Sequence, residues 1–167
     1  GNGFIAKGVD LAVEAFLESP ELRLTVAGPG DDRAFWHVYG ERIKKAPNID
    51  YVGFLDVAGP VYAELVKTHA WSLLPSTAEG LCTSVATTMR SGLVPVVTHE
   101  TSVATGDFGV LLPSDPVEIN NGLPQTIKAL SKTNISEYRQ RAISSAEASN
   151  AYTQQAFQNS IRQAFDV

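Results

Sequence analysis

The sequence predicts an α/β domain, a three-layer fold in which helices cover both faces of a mainly parallel sheet. Three observations carry this prediction. Short apolar runs at 22–27, 49–54, 70–74, 93–97 and 109–112 alternate with segments of helical period. The connecting segments are about ten residues or longer, as right-handed parallel crossovers require and hairpins do not. The run at 70–74 is apolar except for Ser72, the pattern of a strand covered on both faces.

Taken in order, the chain opens on a glycine turn with Gly1, Gly3 and Gly8. Val9, Leu11, Ala12, Ala15 and Phe16 then fall on one helical face, and Ser19-Pro20 ends that helix. The run at 22–27 is a strand closed by Gly28-Pro29-Gly30. Asp31 and Asp32 place negative charge at the start of the next helix, where its dipole favours it. Strand 49–54 follows, then a turn at 56–60 with Pro60 suited to a first helical position. Val61, Tyr62, Leu65 and Val66 give a helix to about His69, and strand 70–74 comes next.

The stretch 73–92 organises the rest. It is a strand end, a loop carrying Glu79 beside Gly80, and a helix starting soon after. Free N–H groups and the positive end of a dipole at such a helix start suit a phosphate. In strand 93–97, Pro95 predicts a bulge or a local gap in pairing. Strand 109–112 leads to a helix at 115–130, which Gly122 and Pro124 are expected to interrupt. Helices at 136–149 and 153–165 close the chain, the last with a stripe of Phe157, Ile161 and Phe165.

Composition bounds the function. The 167 residues support one domain, with 44% hydrophobic and 19% charged residues. The net charge of −5 argues against a nucleic-acid surface. No apolar run reaches membrane-span length. One cysteine, Cys82, rules out an internal disulfide and a cysteine-rich zinc site and fits a cytoplasmic protein. His37, His69 and His99 are scattered and form no metal set. Trp36 and Trp71 are expected to pack.

The ordered set Lys7-Gly8-Val9-Asp10, Leu24-Thr25-Val26-Ala27-Gly28-Pro29-Gly30, Pro47-Asn48-Ile49 through Gly53-Phe54, Leu74-Pro75-Ser76 with Glu79-Gly80, and Gly92-Leu93-Val94-Pro95-Val96-Val97 resembles the C-terminal, donor-binding half of GT-B glycosyltransferases. The similarity is to the group 1, or family 4, retaining enzymes and covers nearly the whole chain. It implies one Rossmann-like domain over residues 1–167 that binds a nucleoside-diphosphate sugar as substrate, with no cofactor and no metal required. The partner half, an N-terminal domain holding the acceptor, is absent from this sequence. A doubly wound sheet also expects a strand before the opening glycine turn, so the sequence is read as a fragment lacking its first central strand.

The resemblance further implies roles for individual residues. Lys7 would lie near the diphosphate and stabilise the charge of the leaving group. Glu79 would contact sugar hydroxyls, and these two are the catalytic candidates. Asn2 stands where the family has an arginine, beside Gly3. Thr87, after seven intervening residues, stands where the family has a second glutamate for the ribose. Ser76, Gly80, Leu81, Cys82 and Thr83 would form the sugar and phosphate loop. Gly28 and Pro29 would line the nucleotide cleft, and Phe54 and Leu55 could lie against the base, with a core role for Phe54 as the alternative. The last helix resembles the family's closing helix, leaving its apolar stripe available for self-association.

Two other functions compete. A non-catalytic nucleotide-binding or scaffolding domain follows from Asn2 and Thr87 replacing charged residues. A dinucleotide-dependent oxidoreductase follows from the fold alone, but strand 22–27 ends in Gly28-Pro29-Gly30, without the G-x-G-x-x-G turn or the acidic residue such a site uses.

Overall fold

The computed structural model describes residues 3–165. Their elements run α1 Val9–Leu17, β1 Leu24–Ala27, α2 Arg33–Lys45, β2 Ile49–Gly53, α3 Pro60–Thr68, β3 Trp71–Leu74, α4 Thr83–Arg90, β4 Val94–Thr98, β5 Val110–Leu112, α5 Pro116–Leu130, α6 Ile135–Ala148 and α7 Gln154–Phe165. Local chemistry sets several boundaries. Gly8 precedes α1 with φ 66°, a left-handed conformation that glycine adopts without a Cβ penalty. Asp32 caps α2 through the Phe35 N–H, and Asp115 caps α5 through the N–H groups of Val117 and Glu118. Pro60 and Pro116 occupy first-turn positions, where no intrahelical N–H bond is lost.

All strand pairs are parallel, and helices lie on both sides. Among the described residues the strands form two sheets, one ordered β1-β2 and one ordered β3-β4-β5. Leu24 pairs with Ile49 in the first, while Trp71 pairs with Val94 and Val96 with Val110 in the second. The larger core cluster joins Val13 and Phe16 of α1, Val26, Phe35, Ile43 and Ile49, and the α5 residues Ile119, Leu123 and Ile127. A smaller cluster gathers Cys82, Val85, Met89, Val97 and Val103.

Three expectations are corrected. Helix α5 runs unbroken through Gly122 and Pro124. Its face of Ile119, Leu123 and Ile127 is buried against the core, and that packing outweighs one lost backbone bond. Strand β4 carries Pro95 without a bulge, in regular register with Ser72. The Val94 N–H donates toward β3, so alternation turns the Pro95 nitrogen toward β5, one residue before pairing with β5 begins at Val96. Strand β3 is half-buried along its whole length, whereas β4 is buried at every residue. The difference arises because β3 is an edge strand facing an open slot.

Candidate active site

The candidate site forms where the turn before α1 meets the loop after β3. Gly8 approaches Pro75 so closely that a Cβ there would stand 2.1 Å from the Pro75 carbonyl oxygen. The Ala6 carbonyl accepts from the Thr77 N–H at 3.0 Å and from the Ser76 hydroxyl at 3.1 Å. This stitching holds Lys7 over the end of β3. There its ammonium forms an ion pair with Glu79 Oε1. Ser76, fully buried, also lies within donating distance of Glu79, at 3.2 Å. Both charged side chains are mostly covered, with 20% of Lys7 and 10% of Glu79 exposed. Partial exclusion of water strengthens their attraction relative to a surface pair.

Behind the turn, Phe4 fills a pocket against Phe35, with ring centroids 4.9 Å apart, and against Trp36 and Tyr51. Gly28 faces Phe4, and a Cβ at that position would meet the ring at 2.8 Å. The Tyr51 hydroxyl donates to the Gly28 carbonyl at 2.9 Å. Trp36 therefore packs in this cluster, and Trp71 packs edge-on to Tyr138. Asp32 fixes the turn to α2, because one carboxylate oxygen accepts from the Phe4 N–H and the other from the Phe35 N–H. These bonds hold the Asp32 carboxyl below the usual carboxylate range, that of Phe35 contributing most. Asp10, in the first turn of α1, is pushed up by burial, with smaller contributions from Glu14 and Asp32.

The other sequence-designated residues distribute unevenly. Gly3, φ 102°, has the Ala6 Cβ 3.8 Å from where a Cβ would be, and Gly80 has nothing within 4 Å of that position. Helix α4 begins without a side-chain cap. Of the N–H groups near its start, that of Cys82 donates to the Thr101 carbonyl, and Thr83 opens the first turn on the exposed surface. Cys82 is buried, and Leu81 is 50% exposed. The Thr87 hydroxyl donates back to the Thr83 carbonyl at 2.8 Å, which leaves its lone pairs as acceptors. Pro29 is exposed at the end of β1. Phe54 is 81% exposed just past β2, so the alternative core role for it is excluded. Leu55 instead lines the slot between the sheets. Asn2 lies outside the described residues.

Sequence reasoning missed Phe4 and the double role of Asp32. The available signal was one aromatic inside a glycine turn and an aspartate placed to cap a helix. Only the tertiary structure shows that these two meet. Among the described residues no three His, Cys, Asp or Glu side chains gather as a metal would require.

A sequence profile described as glycosyl transferases group 1 matches residues 3–128. No curated protein matches the sequence. Among solved structures, the pneumococcal O-GlcNAc transferase GtfA in complex with UDP and GlcNAc aligns with a TM-score of 0.68 and 19% identity, over 97% of this chain and 32% of that one. A GtfA/B complex aligns at 0.66 and 22%, over 90% and 33%. The catalytic domain of a cholesterol-alpha-glucosyltransferase from Helicobacter pylori aligns at 0.60 and 12%, over 89% and 92%. At these identities the likeness shows a shared fold. The chain spans about a third of the length of the first two.

Proposed function

Because the chain belongs to the group 1 glycosyl transferases, we propose that it is the donor-binding half of a retaining glycosyltransferase, taking the sugar of a nucleoside diphosphate and passing it to an acceptor. The ion pair between Lys7 and Glu79 carries this reading, since it joins a diphosphate-binding candidate to a sugar-orienting one at the C-terminal ends of parallel strands. As the bond between the anomeric carbon and the diphosphate breaks, its electron pair stays on the phosphate oxygen. Lys7 meets that growing charge, and the unfilled N–H groups at the start of α4 add to it. Glu79, held by Lys7, accepts hydrogen bonds from sugar hydroxyls and fixes the ring while the acceptor oxygen bonds on the same face, its proton passing to the departing phosphate oxygen. UDP and GlcNAc bound to a fold relative support a nucleotide-sugar as ligand.

The acceptor belongs, in this reading, to a separate N-terminal domain, and the solved structures most of this chain aligns with are about three times as long. The stripe of Phe157, Ile161 and Phe165, exposed at 66%, 43% and 73%, supports a contact of α7 with that domain or with a second copy. A non-catalytic nucleotide-binding domain is the second reading, favoured by the neutral Thr87 hydroxyl already engaged with Thr83. Calorimetric titration of the chain with UDP, GDP and ADP tests nucleotide binding. At least one should bind, and Lys7→Ala should weaken it. A folded chain that binds none overturns the proposal.

A further inference from the structure

Strand β4 pairs with β3 as far as Val97 opposite Leu74, and Pro75 brings no N–H to carry the pairing further. The next residue of β4, Thr98, stays in the sheet opposite Leu112 of β5 and is fully buried. Its hydroxyl donates to the Ser76 carbonyl at 2.5 Å. A one-turn helix, His99–Thr101, follows. Thr101 is also fully buried. Its hydroxyl donates to the Thr98 carbonyl at 2.9 Å, and its own carbonyl accepts the Cys82 N–H at 3.1 Å. Ser102 then takes φ 55°, and among the described residues no other non-glycine residue has a positive φ. Such a backbone persists only where its surroundings hold it. Val103, which comes next, is buried in the cluster with Cys82 and Val85.

These contacts form a brace with two ends. One grips Ser76, where the loop after β3 begins, and the other grips Cys82, where that loop enters α4. Glu79 stands midway between them. Among the described residues, the N–H groups at 78–81 donate to no backbone carbonyl. The middle of the loop therefore follows the brace and the ion pair to Lys7. A valine at 98 or 101 would fill nearly the same space without burying a hydroxyl, so packing alone does not account for two threonines there. Resting on the donor-binding reading above, we propose that Thr98 and Thr101 are positioning residues of this site. They set the offset between Glu79 and the start of α4, so that the sugar and the diphosphate of one donor are held at once. Both act through the loop, Thr98 on Ser76 and Thr101 on Cys82.

Amide hydrogen exchange by NMR and calorimetry on the parent chain and its valine and serine variants test this. Thr98→Val should speed exchange of the Thr77 amide at least about tenfold more than that of Leu24 or Val94, which lie in the two sheets. Thr101→Val should do the same to the Cys82 amide. Thr98→Ser and Thr101→Ser, which keep the hydroxyls, should restore the parent's rates. If one valine variant does not fold, the other is read alone. The brace is overturned if loop and sheet amides speed up alike, which marks a core role, or if Thr77 and Cys82 are unprotected in the parent. In calorimetry, Thr98→Val should weaken UDP-linked GlcNAc at least about fivefold more than UDP, because a displaced carboxylate loses the sugar and spares the diphosphate. Thr101→Val, which frees the start of α4, should weaken both ligands alike. Affinities that stay at the parent's values while the loop amides speed up leave the donor site standing and overturn the positioning role. A parent that binds neither ligand overturns the donor-site reading and that role with it, whereas the exchange rates still report the brace.

Discussion

The carboxylate of Asp32 accepts the Phe4 N–H at 2.8 Å and the Phe35 N–H at 3.0 Å, so one side chain both caps α2 and anchors the turn that carries Lys7. Removing it should therefore do more than fray a helix. Asp32→Ala should lower Tm and also weaken nucleotide binding, whereas Asp32→Asn, which keeps one acceptor oxygen, should retain more of both. Because the folded carboxyl titrates below its ordinary value of 3.8, its stabilisation is present above that pH and fades as pH falls through the folded value. Thermal melts of both variants from pH 2 to 7 should converge with the parent at the acid end. Equal losses at every pH would show that charge has no part in the anchor.

Glycines in this chain separate cleanly by surroundings. Gly8→Ala places a Cβ 2.1 Å from the Pro75 carbonyl oxygen at φ +66°. Left-handed strain and a clash with backbone combine to a cost of order 3 kcal/mol. Gly122, inside α5 with nothing within 4 Å of its would-be Cβ, should behave oppositely. Gly122→Ala should stabilise by about 0.5–1 kcal/mol through helix propensity. Urea denaturation of the two variants gives both signs in one experiment, and a tolerated Gly8→Ala would contradict the close approach that builds the site.

Much of this arrangement is legible in the sequence. The alternation of apolar runs and helical segments gives all five strands and their parallel pairing, with edges shifted by one or two residues. Glu79 and Lys7 stand out because each directly precedes a glycine in a turn that leads into a helix. Pro95, Gly122 and Pro124 mislead for a common reason. Their local penalties are real, but β5 starting at Val96 and the buried face of α5 decide the outcome, and neither is visible locally. The exposure of Phe54 is equally invisible, since an aromatic after a strand looks the same whether it turns inward or outward.

Burial acts against one charge in the same region. Asp10 is half-covered in the first turn of α1, its Oδ1 has no partner among the described residues, and Glu14 and Asp32 add like charge. Its carboxyl is raised above 3.8, so the folded protein holds that proton to higher pH than the unfolded chain does. Stability contributed by the neutral form is complete below 3.8 and is lost as pH rises through the raised value. Asp10→Asn should therefore gain Tm relative to the parent as pH rises from 3 to 7. Melts that show a shrinking gap over that range would refute the assignment.

Thr87 decides between a competent and a weakened donor site. Its hydroxyl spends its proton on the Thr83 carbonyl at 2.8 Å, so toward a ribose it can act only as a neutral acceptor. A carboxylate at the same helix position would accept with charge, and charge-assisted hydrogen bonds are roughly twice as strong as neutral ones. Thr87→Glu should therefore raise affinity for a nucleoside diphosphate by about tenfold, the equivalent of one such gain of 1.4 kcal/mol. Inorganic diphosphate, which has no ribose, should gain nothing and should lose slightly to repulsion. Parallel calorimetric titrations with UDP and with diphosphate separate the two effects. If both ligands weaken together, the new charge faces the phosphates and Thr87 is not the ribose contact. If UDP alone strengthens, the site as it stands binds its donor through Lys7, the start of α4 and Glu79, with a deliberately weak hold on the nucleoside.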